Sequence, residues 1–360
     1  MIKLRLTFGE KPAPGFLTES NWEQLAELCQ LFGFPAQGVL VQPKILPENV
    51  SAPLQEALSQ KGVQTVPVHF PLSKRPTLQD VGNLADALPI QSTVGYTFFL
   101  LGGARFLAAV DFVLSLLREP PRVVHIPTSL VAQAEFPFWK NACVSSARVV
   151  HPFSLKVQRR ELLWLSTDVL STLPESHFLL GLLSFLRLSV LFDRQLFLFL
   201  EDKALHLTRD HPDVLIQALF KTYKIKTDVL LPTEFHSLLE KWYLTALFTW
   251  KAPEAESSAI SPAELLGIDF LLRLKMSAEL EESDPAELKR VQTVFRSLGL
   301  PELFSDGVLQ EMISRLENLS EADFPQEWVL LRGIGKASVR TGLKKADVLN
   351  ALTKVAEDEG

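Results

Sequence analysis

Apolar and polar residues alternate from the first position: Ile2, Leu4, Leu6 and Phe8 fall on one face, a period of two that predicts a half-buried strand. Short apolar runs follow at Gly38–Val41, Val63–Phe70, Thr97–Leu101 and Arg122–Ile126. Continuous apolarity of this length is what strands of a parallel sheet show when both faces are covered. Between the runs lie helical stretches, Glu23–Phe32, Ala52–Lys61 and Thr77–Leu88. Strand–helix alternation predicts an α/β, Rossmann-like domain over residues 1–170. From Leu173 onward helical periodicity takes over, with Pro174, Pro212, Pro232 and Pro262 each placed where a helix can begin. Residues 171–360 therefore read as a mainly α-helical domain, with a loop at Ala252–Ser261 and a return to strand at Glu327–Leu331 and Ser338–Arg340.

Two stretches are apolar enough to raise the question of a membrane. Phe98–Leu117 contains Arg105 and Asp111, and Phe178–Leu200 contains Arg187, Asp193 and Arg194. Charge within a span is costly in lipid, so both read as buried core elements. No apolar leader precedes the first strand, and the expected location is the cytoplasm. The formal charge of −6 leaves no broad basic surface, which argues against nucleic acid as a partner. Cys29 and Cys143 are too few for a disulfide framework or a thiolate metal site.

Four segments carry a resemblance. They are Phe98-Phe-Leu-Leu-Gly-Gly103, His125-Ile-Pro-Thr-Ser-Leu-Val-Ala-Gln133, Leu170-Ser-Thr-Leu-Pro174 and Gly333-Ile-Gly-Lys-Ala-Ser-Val-Arg-Thr-Gly342. In order and spacing they resemble the 3-dehydroquinate synthases: a strand into a glycine loop, VPTTLLAQ, the entry to the helical domain, and AIGKxxVR. The resemblance spans roughly three-quarters of the chain and rests on four short motifs acting jointly. It implies a Rossmann-like domain followed by a helical one, usually in a homodimer. It also implies a carbon–oxygen lyase of the shikimate pathway, which leads to aromatic amino acids. Such enzymes close a seven-carbon sugar-phosphate acid into dehydroquinate, using NAD and zinc.

Set against that family, many site positions differ. The glutamate of its LAEVIKxG helix falls at Ser184, and its ligand histidine at Leu247 with Lys251 nearby. Its HGEA segment falls at Ser261-Pro-Ala-Glu264, and no histidine follows His236. Zinc needs nitrogen, sulfur or carboxylate donors, so no metal ligand is assigned. In the nucleotide loop only Gly102 and Gly103 match GGGxxGD; Leu107 and Ala108 replace its later glycine and aspartate. Pro43 and Lys74 fall at ribose-contact positions. NAD and zinc are both expected to be absent, and no catalytic residue is assigned. His206 and His211, five apart, fall on different faces of one helix and make poor joint ligands.

The substrate loop aligns with Ala134–Ser145: its aspartate becomes Glu135, and Phe136, Pro137, Phe138 and Trp139 replace small polar residues. The ExGLR element aligns with His236–Glu240, reversing a charge. Lys226, Lys251, Lys336 and Arg187 keep cationic character and are the anion-binding candidates. The reading that follows is a pseudoenzyme with a binding, assembly or regulatory role. Its partner is a second copy or an intact 3-dehydroquinate synthase, met through an aromatic patch at Phe136–Trp139. The alternatives are a retooled sugar-phosphate cyclase or small-anion binder, and an active 3-dehydroquinate synthase.

Overall fold

The computed structural model describes residues 1–8, 11–71, 76–88, 95–119, 121–138, 141–144, 153–156, 161–230, 262–280, 283–300, 310, 313–314, 316–321 and 324–357. The chain divides into two compact units, Met1–Pro174 and Glu175–Gly360.

The first unit is built on a seven-stranded sheet. Its strands are β1 (Ile2–Phe8), β2 (Lys11–Thr18), β3 (Gln37–Pro43), β4 (Gln64–Phe70), β5 (Tyr96–Gly102), β6 (Arg122–Pro127) and β9 (Leu162–Ser166), in the order β1-β2-β9-β6-β5-β3-β4. All neighbours pair in parallel except β1 and β2, a hairpin in which Ile2 faces Leu17. Two short strands, β7 (Asn141–Val144) and β8 (Phe153–Lys156), form a separate antiparallel pair. The helices of this unit are α1 (Trp22–Leu31), α2 (Glu48–Gln60), α3 (Leu78–Ala87), α4 (Ala104–Ser115) and α5 (Leu130–Glu135).

Sequence chemistry accounts for most of these boundaries. Asn21 caps α1, and Thr77 with Asp80 forms a reciprocal capping box on α3. The apolar side of α4 buries Phe106, Leu107, Val110 and Val113 against Val39, Val41, Phe98 and Leu100 of the sheet. That helix also carries Asp111 into the interior, where it meets His125 of β6 at 2.7 Å with both side chains buried. A buried carboxylate persists only when paired, and here one histidine pins helix to sheet. The strand β2 was not expected from its sequence, because Pro12, Pro14 and Gly15 read as turn punctuation. Among the described residues the prolines lie in the half of β2 that pairs with β1 alone, since pairing to β9 begins at Gly15. An edge tolerates the missing donors.

The second unit contains α6 (Glu175–Phe192), α7 (Arg194–Lys203), α8 (Pro212–Ile225), α9 (Pro262–Leu280), α10 (Pro285–Ser297) and α11 (Lys345–Glu357), with the hairpin of β10 (Glu327–Gly333) and β11 (Lys336–Thr341). By length and composition α6 could cross a membrane, but 67% of its apolar window is buried inside the unit, as in a core helix. Asp193 ends the run by capping α7 through the Leu196 N–H at 2.6 Å.

A polar seam holds α9 to the hairpin. Arg273 forms a bidentate pair with Asp269 one turn earlier, at 2.9 and 3.1 Å, with both side chains buried. Its remaining nitrogen donates to the Val329 carbonyl at 3.1 Å, and its guanidinium lies 5.4 Å from the Trp328 ring centre. One turn further, the Ser277 hydroxyl accepts from the Leu331 N–H at 2.8 Å. Removing one member of a buried pair strands the other charge, at a cost of about 3–5 kcal/mol. Arg273→Met is therefore expected to lower the urea midpoint strongly with an unchanged slope. Adding Asp269→Leu should recover part of that loss, and a double variant no more stable than the single one would refute this account.

Candidate functional sites in the two units

In the first unit the chain leaves β3 outward to β4, then returns to β5 on the other side of β3. Strand order therefore reverses between β3 and β5. The crevice beyond the carboxyl ends at such a reversal is where open α/β sheets take ligands. Gln42 and Pro43 end β3, and Gly102 ends β5. Gly103 follows as the extended N-cap of α4, with φ −72° and ψ 167°. The first-turn N–H groups of this twelve-residue helix point toward the crevice mouth, where helix geometry favours an anion.

The two glycines serve different ends. A Cβ at Gly102 would sit 2.6 Å from the Phe106 ring, so that position is small because a core side chain occupies the space. Among the described residues a Cβ at Gly103 would make ordinary van der Waals contact with the Ser129 hydroxyl at 3.7 Å and meet nothing closer, so no core side chain claims that position. Leu107 is wholly buried and Ala108 nearly so, both in the core behind the helix. The Leu107 side chain that replaces the family's glycine belongs to that core. The Gln42 amide is buried; its nitrogen lies 3.2 Å from His69 Nδ1, and its oxygen has no hydrogen-bond partner among the described residues. Sequence reasoning passed over Gln42 in favour of the adjacent Pro43. The signal available was a polar residue ending an otherwise apolar strand.

Gln133 supports the neighbouring strand ends. Its buried side-chain nitrogen donates to Pro127 O at 3.2 Å and Ser166 O at 2.7 Å, strapping β6 to β9. Ser129 caps α5, accepting from the Ala132 N–H at 3.2 Å. Glu135 is buried as the last residue of α5. Phe136 is fully buried, 5.5 Å from the His125 ring, and Pro137 is buried beside it. The expected aromatic interface patch is therefore not a surface at these two positions; their side chains fill core. Trp139, Lys140 and Lys74 lie outside the described residues.

In the second unit Ser184 and Arg187 stand three residues apart on α6, both buried. The Ser184 hydroxyl donates back to the Leu180 carbonyl at 3.2 Å. Lys226 is 2% exposed and opens a π-helical turn, Lys226–Leu230, that continues α8. Such turns often mark functional positions. One helical turn earlier the Thr222 hydroxyl is buried, without a hydrogen-bond partner among the described residues. Thr222 was missed from sequence, where a threonine inside a helix carries no signal. Lys336 is exposed at the start of β11. Beside it Gly335, at φ +80°, donates its N–H to the Val190 carbonyl of α6 at 2.9 Å; a Cβ there would lie 2.9 Å from the Arg194 backbone nitrogen. Lys251, Leu247 and His236–Glu240 lie outside the described residues.

No family model matches the chain. It is 23% identical over 310 residues to the 3-dehydroquinate synthase of Thermodesulfovibrio yellowstonii, covering 84% of this chain and 85% of that protein. It is 25% identical over 323 residues to that of Mesorhizobium japonicum, covering 85% and 84%. Among solved structures it is similar to ValA, the 2-epi-5-epi-valiolone synthase of Streptomyces hygroscopicus subsp. jinggangensis, with NAD+ and Zn2+ bound: TM-score 0.80, 20% identity, 98% of this chain and 99% of that one. A 2-deoxy-scyllo-inosose synthase complexed with carbaglucose-6-phosphate, NAD+ and Co2+ gives a TM-score of 0.80 at 13% identity, over 98% and 100%. The fold is that of the 3-dehydroquinate synthase-like sugar-phosphate cyclases.

These neighbours overturn the expectation that the chain takes neither NAD nor zinc, since proteins of this fold hold NAD+ together with Zn2+ or Co2+. That expectation rested on side chains at aligned positions. For the nucleotide, the backbone N–H groups of a helix N-terminus do not depend on the identities of residues 107 and 108, whose side chains lie in the core. For the metal, Ser184 directs its hydroxyl into its own helix, and residues 231–261 lie outside the described residues. The described residues contain no set of three histidine, cysteine or carboxylate groups placed to hold an ion.

The β10–β11 turn depends on a carboxylate. Glu287 accepts from the Ile334 N–H at 2.9 Å and pairs with Arg194. The Arg194 contact, reinforced by the Ile334 N–H, holds this carboxyl below the ordinary glutamate range. A lowered folded-state pKa contributes stability above the unfolded value, and that contribution is lost as pH falls through the folded value. Glu287→Gln should thus melt lower than the parent at neutral pH, with the gap closing on acidification below about pH 4. A gap that stays constant down to pH 3 would show that the charge does not carry the effect.

Proposed function

We propose that this 3-dehydroquinate synthase-like chain is an NAD-binding protein of the sugar-phosphate cyclase type, whose second unit takes a phosphorylated or carboxylate-bearing sugar. The observation that supports the first half is the reversal of strand order between β3 and β5, with the N-terminus of α4 directly after β5 and no close contact to an added Cβ at Gly103 among the described residues. There the first-turn N–H groups of α4 would donate to a pyrophosphate. When bound, NAD supplies a reversible hydride acceptor for a carbinol of the substrate.

The second half rests on Lys226 and Arg187. Both are cations held out of water, and Thr222 adds a buried hydroxyl beside the lysine. Desolvated cations bind phosphate and carboxylate through charge-assisted hydrogen bonds, which orient a sugar phosphate without reacting with it. Lys336, at the exposed hairpin turn, adds a third cation. The acid side of the family's substrate loop is represented by Glu135, which is buried in α5. The chemistry proposed is phosphate elimination from a sugar phosphate by a carbon–oxygen lyase.

Ser184 favours a second reading. A hydroxyl committed to Leu180 stands at a position to which the resemblance assigns a carboxylate. The protein would then bind nucleotide and sugar phosphate without turning them over, and serve in assembly with a second copy or an intact 3-dehydroquinate synthase. Phosphate release from a panel of sugar phosphates separates the two: NAD-dependent release supports the lyase, and binding without release supports the assembly role.

The NAD assignment has its own test. Gly103→Asp places a carboxylate at a helix N-cap, where it favours the helix and where an added Cβ makes only ordinary contact with Ser129. The variant is expected to match or exceed the parent's melting temperature without ligand. It should also lose the upward shift that saturating NAD+ gives the parent, with affinity reduced at least tenfold by repulsion of the pyrophosphate. No NAD-induced shift in the parent, or an equal shift in the variant, would count against the site.

A further inference from the structure

The corner between α7 and α8 brings together two histidines that sequence spacing sets apart. The helix ends at Lys203, a single 3-10 turn carries Ala204–His206, and His211 becomes the residue before Pro212 at the start of α8. The change of direction leaves the two imidazoles edge to face, ring centres 5.1 Å apart and planes at 63°. The expectation of two different faces of one helix fails because the helix ends at Lys203, before both of them, and the next begins only at Pro212.

We propose that His206 and His211 form a two-imidazole site for a divalent transition-metal ion. The geometry carries the assignment. With metal–nitrogen bonds of about 2.1 Å and about 1.1 Å more from nitrogen to ring centre, two imidazoles at a roughly tetrahedral angle on one ion have centres about 5 Å apart. The observed separation meets that spacing with the rings crossed, so side-chain rotation alone can aim one nitrogen of each at a common point. Neither imidazole is engaged in a hydrogen bond among the described residues, and the His211 side chain takes no part in capping α8. His206 is exposed and His211 half-buried, so the ion has an open path. The described residues add no third histidine, cysteine or carboxylate placed to join them, so water fills the remaining positions.

The corner is already ordered. The Leu207 N–H reaches Ala204 O at 3.3 Å, and Leu207 itself is buried. His211 N–H bonds Thr208 O at 3.2 Å, and His211 O accepts from Val214 and Leu215. Between the histidines Arg209 is held by Glu175 at 2.7 Å and lies 4.6 Å from the Phe178 ring centre. An ion bound here needs little ordering of the chain. Paired imidazole suits Cu2+, Ni2+ and Zn2+, with Cu2+ the tightest, and excludes Mg2+ and Ca2+, which want oxygen.

The test is calorimetric titration of the full-length protein with Ni2+, comparing the parent with His206→Gln, His211→Gln and the double variant. Far-ultraviolet circular dichroism establishes that each is folded. One class of Ni2+ site is expected in the parent, weakened at least tenfold in either single variant and no further in the double, because the two rings act as one chelate. Parent protein should also be retained on a Cu2+-iminodiacetate column under conditions that release both single variants. The proposal is overturned if either single variant keeps its affinity within twofold, if the two losses add as for independent ligands, or if the parent shows no histidine-dependent class. Metal bound equally by all four proteins reports a different site and leaves the reading of the crevice untouched.

Discussion

A guanidinium enclosed in the helical unit sets the terms for much of what surrounds it. Arg273 cannot shed its charge, so burying it demands a full set of acceptors. Asp269 supplies two, the Val329 carbonyl a third, and the Trp328 face lies against its plane. Those requirements fix α9 against β10 in one register, because a slip of one residue would remove the carbonyl and turn the tryptophan outward. The hairpin so anchored holds its turn at a defined height beside α6, where Gly335 meets Val190 and Glu287 gathers Arg194 and the Ile334 N–H. The exposed lysine of that turn is thus positioned by a chain of polar contacts that begins in the core.

The first unit solves the same problem with fewer charges. Asp111 and His125 tie α4 to β6 across the interior, and the N-terminus of that helix is the anion-facing end of the crevice. Position and orientation of the candidate nucleotide site therefore follow from packing on the far side of the helix. Leu107 belongs to that packing. Its bulk serves the core, at a position where the family's motif has a glycine.

Sequence periodicity gave a good account of β3, β5 and β6, which are buried apolar runs, whereas β4, at the end of the strand order, mixes polar and apolar residues and is mostly exposed. Periodicity failed where local chemistry and tertiary context disagree. Pro12, Pro14 and Gly15 announce a turn, yet sheet edges accept them; Leu162–Ser166 is short and uniformly apolar, without the alternation that separates strand from buried helix. Motif comparison found the resemblance through loops and turns rich in glycine and proline. It could not tell which side chains face a ligand. Phe136 looked like a surface aromatic and is core, Gln42 and Thr222 drew no notice, and the histidine pair depended on a helix ending that no single residue signals.

One amide in the first unit has a wider bearing. The Gln133 side chain spends both hydrogens of a single nitrogen on the terminal carbonyls of two adjacent strands, from beneath the loops that leave them. A clamp of this kind decouples the floor of a binding crevice from its rim. Residues beyond β6 and β9 are at liberty to change identity, and with it ligand preference, while the strand termini beneath stay in place. A glutamate at 133 would offer the same length with the wrong polarity, setting oxygen against oxygen. The latitude of the rim is thus purchased by the strictness of one buried nitrogen.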